Sequence, residues 1–295
     1  MKKSALHSRV RGISLIELLI SMVIGLVVVG AVLVSLIGSG QTGRYQAAFA
    51  QMNEDAQIAF SILTRDIQMA GYSQPTGLVS TVPATPTPTM IFSFGTLGTN
   101  TYVIGCDTGF TDPRAVPLTC GTATTPAFEV VYEADAGNTV LNGAGRPSDC
   151  LGNRIGALAA PAPYVASNRY FLSTSTGSGR PELSCASAGA ALTPQPLVEN
   201  IEDMRVLYGV AAAPGSTQVL RYVTATQVRA IGPNEWFNVV SMRLCLLVRS
   251  ADPVLSGEDN SLRTYRDCDE LAQTTTDRYL RRAYFTTAAI RDKMP

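Results

Sequence analysis

Histidine is almost missing from this chain: of 295 residues one is histidine, His7, and it lies in the short hydrophilic segment ahead of the first apolar run. Imidazole general-base work, Ser-His-Asp and Cys-His catalysis and His-ligated zinc all lose their central side chain. No two cysteines stand in a C-x-x-C spacing, which removes zinc-ribbon and thioredoxin-like arrangements. Neither a G-x-S-x-G elbow nor a Walker loop occurs. Carboxylates are the catalytic class that remains, and composition alone leaves paired-acid glycoside hydrolysis open. Tryptophan is reduced to Trp236, which reads as a core or domain-packing anchor. No catalytic residue, cofactor or metal is therefore expected.

Charge is the second absence. From Leu18 to Ile37 there is none, and Leu, Ile and Val dominate. At the helical rise this run covers ~30 Å, the thickness of a bilayer core. One acid, Glu17, stands at its head, where a carboxylate costs roughly 2.5–3.5 kcal/mol on insertion scales and so calls for a partner. The helix dipole offers a simpler account, because an acid in a first turn is favoured without any partner.

The chain as a whole has 23 basic and 23 acidic residues, but Lys2, Lys3, Arg9 and Arg11 all precede the apolar run and no acid does. The positive-inside rule then keeps the amino terminus in the cytoplasm and exports everything after Ile37. This asymmetry gives no support to direct nucleic-acid binding. An apolar fraction of 46% permits a substantial core.

All six cysteines, Cys106, Cys120, Cys150, Cys185, Cys245 and Cys268, fall on the exported side. An oxidising compartment and disulfides follow as the natural reading. Six cysteines allow roughly fifteen connectivities, among which sequence does not choose. Neighbour pairing, Cys106 with Cys120, Cys150 with Cys185 and Cys245 with Cys268, is the working expectation. Cys245 sits inside an apolar strand-like run and has the alternative of being a buried thiol.

A secretory signal peptide places its apolar block before the cleavage site. Here the order is reversed, with Gly12 preceding the block, so cleavage after Gly12 would leave the helix on the protein. Gly12-Ile13-Ser14-Leu15-Ile16-Glu17-Leu18-Leu19-Ile20, behind its basic leader, resembles the class III signal of type IV prepilins and pseudopilins. In that family a dedicated membrane peptidase cuts after the glycine and methylates the new amino terminus. The first mature residue is usually Phe or Met, whereas this chain has Ile13. The resemblance implies that Gly12 and Ile13 flank the cleavage, that Ile13 is N-methylated, and that Glu17 bonds the methylated amine of a neighbouring subunit to set axial register.

Gly38, Gly40 and Gly43 spell G-x-G-x-x-G, but a dinucleotide fingerprint must follow a strand. A join at which the helix leaves the bilayer is the better reading. Phe49, Met52, Ala56, Ala59, Leu63, Ile67 and Ala70 continue as one apolar helical stripe, with Glu54, Asp55, Arg65 and Asp66 on other faces. Gly71 is placed to stop the helix. Pro75, Pro83, Pro86 and Pro88 exclude helix beyond it. Strand-like runs follow at Met90–Phe94, Tyr102–Ile104, Phe128–Tyr132, Tyr164–Leu172, Asp203–Val210, Gln218–Thr224, Val239–Arg249 and Tyr279–Thr286.

The acids Glu258, Asp259, Asp267, Asp269 and Glu270 read as a solvated loop, since the D-x-[DN]-x-[DN]-G calcium spacing is absent. Arg281 and Arg282 read as surface residues beside an apolar strand. The expected class is thus α+β, with a leader (1–12), a long assembly and transmembrane helix (13–71) and an exported β-rich, loop-rich domain (72–295).

Three stretches sharpen the resemblance to the PilW family of minor pilins: Leu63–Tyr72 (Leu-Thr-Arg-Asp-Ile-Gln-Met-Ala-Gly-Tyr), Val198–Val210, and Tyr279–Arg291. The resemblance implies a pilin-like fold and a role in priming type IV pilus assembly within a tip complex, supporting twitching motility and adhesion. Implied partners are other minor pilins, the major pilin, a PilY-type adhesin, the prepilin peptidase and, before assembly, inner-membrane lipid. A minor pseudopilin of a type II secretion system shares the same amino-terminal signal and is the alternative. A membrane-anchored surface binding protein or adhesin is a third reading.

Overall fold

The computed structural model describes residues 12, 14–73, 102–156, 164–188, 193–213, 215–232, 235–255 and 263–291. The chain divides into two compact units, Met1–Ala47 and Ala48–Pro295. One helix, α1 (Leu15–Met69), supplies the described part of the first unit and the opening of the second. The helix continues through Gly38, Gly40 and Gly43. Its carboxy-terminal half buries Ala48, Met52, Ala56, Ala59, Leu63, Ile67 and Ala70. This is the stripe expected from the sequence, except that Ala48 takes the buried position and Phe49 is half-buried. Gly71 ends the helix in the left-handed region, φ 81°, where a side chain is strained.

Five strands follow in a meander: β1 (Val103–Cys106), β2 (Ala127–Ala134), β3 (Tyr164–Thr174), β4 (Pro181–Ser187) and β5 (Gln195–Glu199). They form one antiparallel sheet in chain order, with a register shift in the β4–β5 pair at Leu183/Ser184. Neither β4 nor β5 stood out in the sequence. The Pro181 and Pro196 at their starts, and the serines along β4, mask the two-residue period.

A second antiparallel sheet, in the order β11-β8-β6-β7, comprises β6 (Ile201–Ala211), β7 (Val219–Val223), β8 (Val239–Arg249) and β11 (Arg281–Ala289). Between β7 and β8 lies a short helix, α2 (Ala225–Ile231), to which the sequence reading assigned no element. Thr224 and Gln227 form its capping box, and the Asp107 carboxylate accepts the N–H groups of Ala225 and Thr226 at 3.0 and 2.7 Å. A small hairpin, β9 (Thr264–Arg266) with β10 (Ala272–Thr274), completes the set.

The chain passes from the first sheet to the second through a single residue, Asn200. Its φ of 67° lies in the left-handed region, which Asn tolerates better than most side chains. Its N–H donates to the Pro181 carbonyl at 2.7 Å and its own carbonyl accepts from the Arg249 N–H at 2.9 Å, one bond to each sheet. The two sheets also meet where Tyr208 of β6 lies against Gly105 of β1. A Cβ at Gly105 would fall 1.8 Å from the Tyr208 hydroxyl oxygen.

Three disulfides pin the strands and their loops: Cys106–Cys120, Cys150–Cys185 and Cys245–Cys268. Cys245, for which a free buried thiol was the alternative, is bridged to the β9–β10 turn. Together with Leu247, Cys268, Tyr265 and Ala283 it builds a small apolar cluster on the face of the second sheet.

Candidate functional site

The first turn of α1 begins after Ser14, whose carbonyl accepts the N–H groups of Glu17 and Leu18 at 3.0 and 3.2 Å. Glu17 therefore stands within the first turn, where the dipole favours its charge. Its side chain is exposed, and among the described residues no donor or cation meets it. Gly12 is exposed as well, whereas Ile13 lies outside the described residues. The apolar side chains around and after Glu17 are exposed: Leu15 is 79% exposed, Leu26 77% and Val34 73%. The helix is the one described element long and apolar enough to cross a membrane. A continuous apolar surface of this length is unstable in water, so it must lie in lipid or against other helices.

The second half of α1 is held by polar groups as well as by its apolar stripe. Asp66, expected on an outer face, is instead 9% exposed and faces the first sheet. It accepts from the Tyr170 hydroxyl at 2.5 Å, from Asn168 Nδ2 at 2.6 Å and from the Tyr132 hydroxyl at 3.3 Å. Burial pushes its carboxyl pKa up, against the pull of these hydrogen bonds and of Arg65. The sequence did carry a signal. Asp66 lies three residues after Leu63 and four before Ala70, which places it beside Ile67 on the stripe itself.

Farther up the helix Asn53 accepts from the Tyr284 hydroxyl at 2.6 Å, and Asp55 accepts from Asn200 Nδ2 at 3.3 Å. One helix thus touches both sheets and the corner between them.

Arg281 is the second correction. Its side chain, expected at the surface, is 6% exposed and is clamped between Glu202 and Asp277 at 2.5 and 2.6 Å. The guanidinium holds the Asp277 carboxyl down at about 2. Neither partner is a neighbour that strand periodicity would suggest, because Glu202 belongs to β6 and Asp277 to the loop before β11. Arg282 is exposed, 5.4 Å over the Tyr284 ring.

On the face of the first sheet opposite Asp66, Arg169 and Glu129 stand directly across the β2–β3 ladder and form a fully buried pair at 2.8 Å. Arg169 also donates to the carbonyls of Pro113 and Ala115 at 2.9 and 2.7 Å, tying down the loop that leads to Cys120. Trp236 packs edge-on against Tyr208, with ring centroids 5.0 Å apart.

Within the acidic stretch, Glu258 and Asp259 lie outside the described residues. Asp267 organises the β9–β10 turn by accepting from the N–H groups of Asp269 and Leu271 and from Gln273. Among the described residues no group of three or more His, Cys, Asp or Glu side chains is arranged to hold a metal ion. The first unit presents an apolar helical surface with a carboxylate in its first turn.

Residues 169–292 match the family model described as Type IV Pilus-assembly protein W, and residues 7–33 match the prokaryotic N-terminal methylation motif. Among solved structures the chain is similar to a type IV-like pilin, TTHA1219 from Thermus thermophilus. The identity is 14% and the TM-score 0.40, over 82% of this chain and 98% of that one. No curated protein matches. The chain therefore carries a PilW-family domain behind a prepilin methylation motif.

Proposed function

We propose that this type IV pilin-like chain is a minor pilin that primes pilus assembly from a tip complex with other minor pilins, which presents a PilY-type adhesin and supports twitching motility and adhesion. The observation that carries the reading is the amino-terminal helix. A methylation motif matches residues 7–33, and the helix that begins within it leaves its apolar residues from Leu15 to Leu36 exposed, with no partner for Glu17 among the described residues. In a helix that only anchored, the acid would serve the helix dipole alone. A helix that leaves the membrane to pack among related helices needs both the apolar surface and a charge that fixes register.

Cleavage between Gly12 and Ile13 supplies the complementary charge. The prepilin peptidase frees an amine at Ile13 and methylates it, and Glu17 of one subunit then meets the amine of the next in a charge-assisted hydrogen bond. The amino terminus faces the cytoplasm and the domain from residue 72 onward is exported, which suits the three disulfides. After assembly the protein resides at the tip of the extracellular filament. In this reading the chain has a structural role in the filament.

The test is a chromosomal deletion combined with affinity capture of the full-length tagged chain. Loss of surface pili and of twitching, with recovery of other minor pilins and an adhesin, is the expected result. Normal piliation with loss of enzyme secretion would transfer the chain to a type II secretion pseudopilus. Unchanged activity when Gly12→Ser blocks cleavage would favour the anchored binding protein.

A further inference from the structure

Asp66 is a buried carboxylate whose hydrogen bonds suit an anion. The hydroxyls of Tyr170 and Tyr132 and the amide of Asn168 all donate to it. An ionised carboxylate only accepts, and three convergent donors favour that form. A buried anion also requires a counter-charge. Among the described residues none lies within ion-pair distance: the adjacent cation, Arg65, directs its guanidinium to the Asn138 carbonyl at 3.1 Å.

A cavity of about 340 Å³ lies beside this carboxylate, lined among others by Asp66, Tyr132, Tyr170, Asn168, Asp149 and Val140 and also by Arg65. Its volume is at the lower end for small-molecule sites, enough for one short side chain or a small ligand. Asp149 adds a second carboxylate at the wall, its Oδ1 accepting the N–H groups of Leu151 and Asn153 at 2.9 Å each. Two acids against one cation, whose guanidinium is engaged by the Asn138 carbonyl, favour a cationic ligand over an anionic one. The two tyrosine rings offer apolar faces to a hydrocarbon stem and π-density to a cation.

We propose that this cavity binds a primary ammonium group on an alkyl stem, the ammonium meeting Asp66 between Tyr132 and Tyr170. Such a group comes from the lysine side chain of a partner protein or from a free amine. The inference rests on the geometry of the β2–β3 face and does not depend on the pilus reading.

The test uses the full-length chain in detergent micelles, with aspartate carboxyl carbons labelled for NMR. Butylammonium is titrated against uncharged butanol as the control. A saturable shift of the Asp66 carboxyl signal with butylammonium alone, together with a lowered Asp66 titration midpoint, is expected. Tighter binding of an N-acetyl-lysine amide than of cadaverine assigns the site to a protein lysine, and the reverse order assigns it to a free amine. Asp66→Asn should lower the affinity at least tenfold. Val140→Trp leaves Asp66 in place and crowds the cavity at a residue that is 71% exposed, so it tests the site even where Asp66→Asn fails to fold. No saturable response to butylammonium, an equal response to butanol, or unchanged affinity in Val140→Trp would overturn the proposal.

Discussion

Replacing Gly105 by alanine probes the contact on which the two sheets meet. The added Cβ would fall 1.8 Å from the Tyr208 hydroxyl oxygen and 2.4 Å from its Cζ. Non-bonded heavy atoms rest at ~3.5–4.0 Å, so the overlap is about 1.5 Å or more and cannot be absorbed by a small rotation. Tyr208 has no free side to retreat to, because it is 1% exposed and its ring packs edge-on against Trp236. Two outcomes bound the loss. Local adjustment of an overpacked site costs roughly 1–3 kcal/mol. Expulsion of the ring would forfeit what an aromatic core truncation forfeits, roughly 3–5 kcal/mol.

Equilibrium unfolding in guanidinium, with the disulfides intact and Trp236 fluorescence as the probe, measures the difference directly. Shortening the ring should restore part of the loss: in Gly105→Ala/Tyr208→Leu the two changes should couple by ~0.5–3 kcal/mol instead of adding. Tyr208→Phe alone should be neutral or mildly stabilising, since among the described residues the buried hydroxyl has no hydrogen-bond partner. A Gly105→Ala variant within about 0.5 kcal/mol of the parent, the spread of ordinary surface changes, would refute the reasoning.

Arg169→Met should destabilise by ~3–5 kcal/mol by leaving Glu129 buried and unpaired, while Arg169→Met/Glu129→Leu should recover most of that loss in the same unfolding assay. Leu63→Ala, at a fully buried position of the helix stripe, should cost ~2–5 kcal/mol and lower the thermal midpoint of the β-rich domain without altering membrane insertion, which fractionation would check. The Arg281–Asp277 pair should appear in acid. With the folded pKa of Asp277 at about 2 and its ordinary value 3.8, its contribution is complete above the higher value and lost as pH falls through the lower. Arg281→Met should therefore flatten the stability profile over that window, as measured by denaturation at fixed pH.

Much of the architecture could be read in advance because it rests on periodic signals. The uncharged run, the stripe from Met52 to Ala70, the stop at Gly71 and the long strand Val239–Arg249 each repeat a pattern that physics demands of their environment. What escaped the sequence depends on partners far away in the chain. Arg281 looked like a surface residue because Glu202, which neutralises it, is 79 positions distant. Asp66 looked solvent-facing because its identity outweighed its place on the stripe, and Tyr170, which makes that place tolerable, is 104 positions distant. Strands β4 and β5 were hidden by Pro181 and Pro196, which local propensity counts against a strand although a first residue, as in β4, or an edge strand, as β5 is, can carry one. The helix α2 is seven residues long and owes its start to Asp107, a residue in another sheet's loop.

The central claim is that the amino-terminal helix is an assembly surface with Glu17 as its register charge. It is tested most directly by the amount of this chain found in pili sheared from cells that express Glu17→Ala, compared with wild type at equal membrane content. The account predicts that the wild-type chain is present in the sheared filaments, whereas the Glu17→Ala chain is inserted and cleaved after Gly12 yet absent from them. Equal recovery of the two chains in the filament fraction would contradict it.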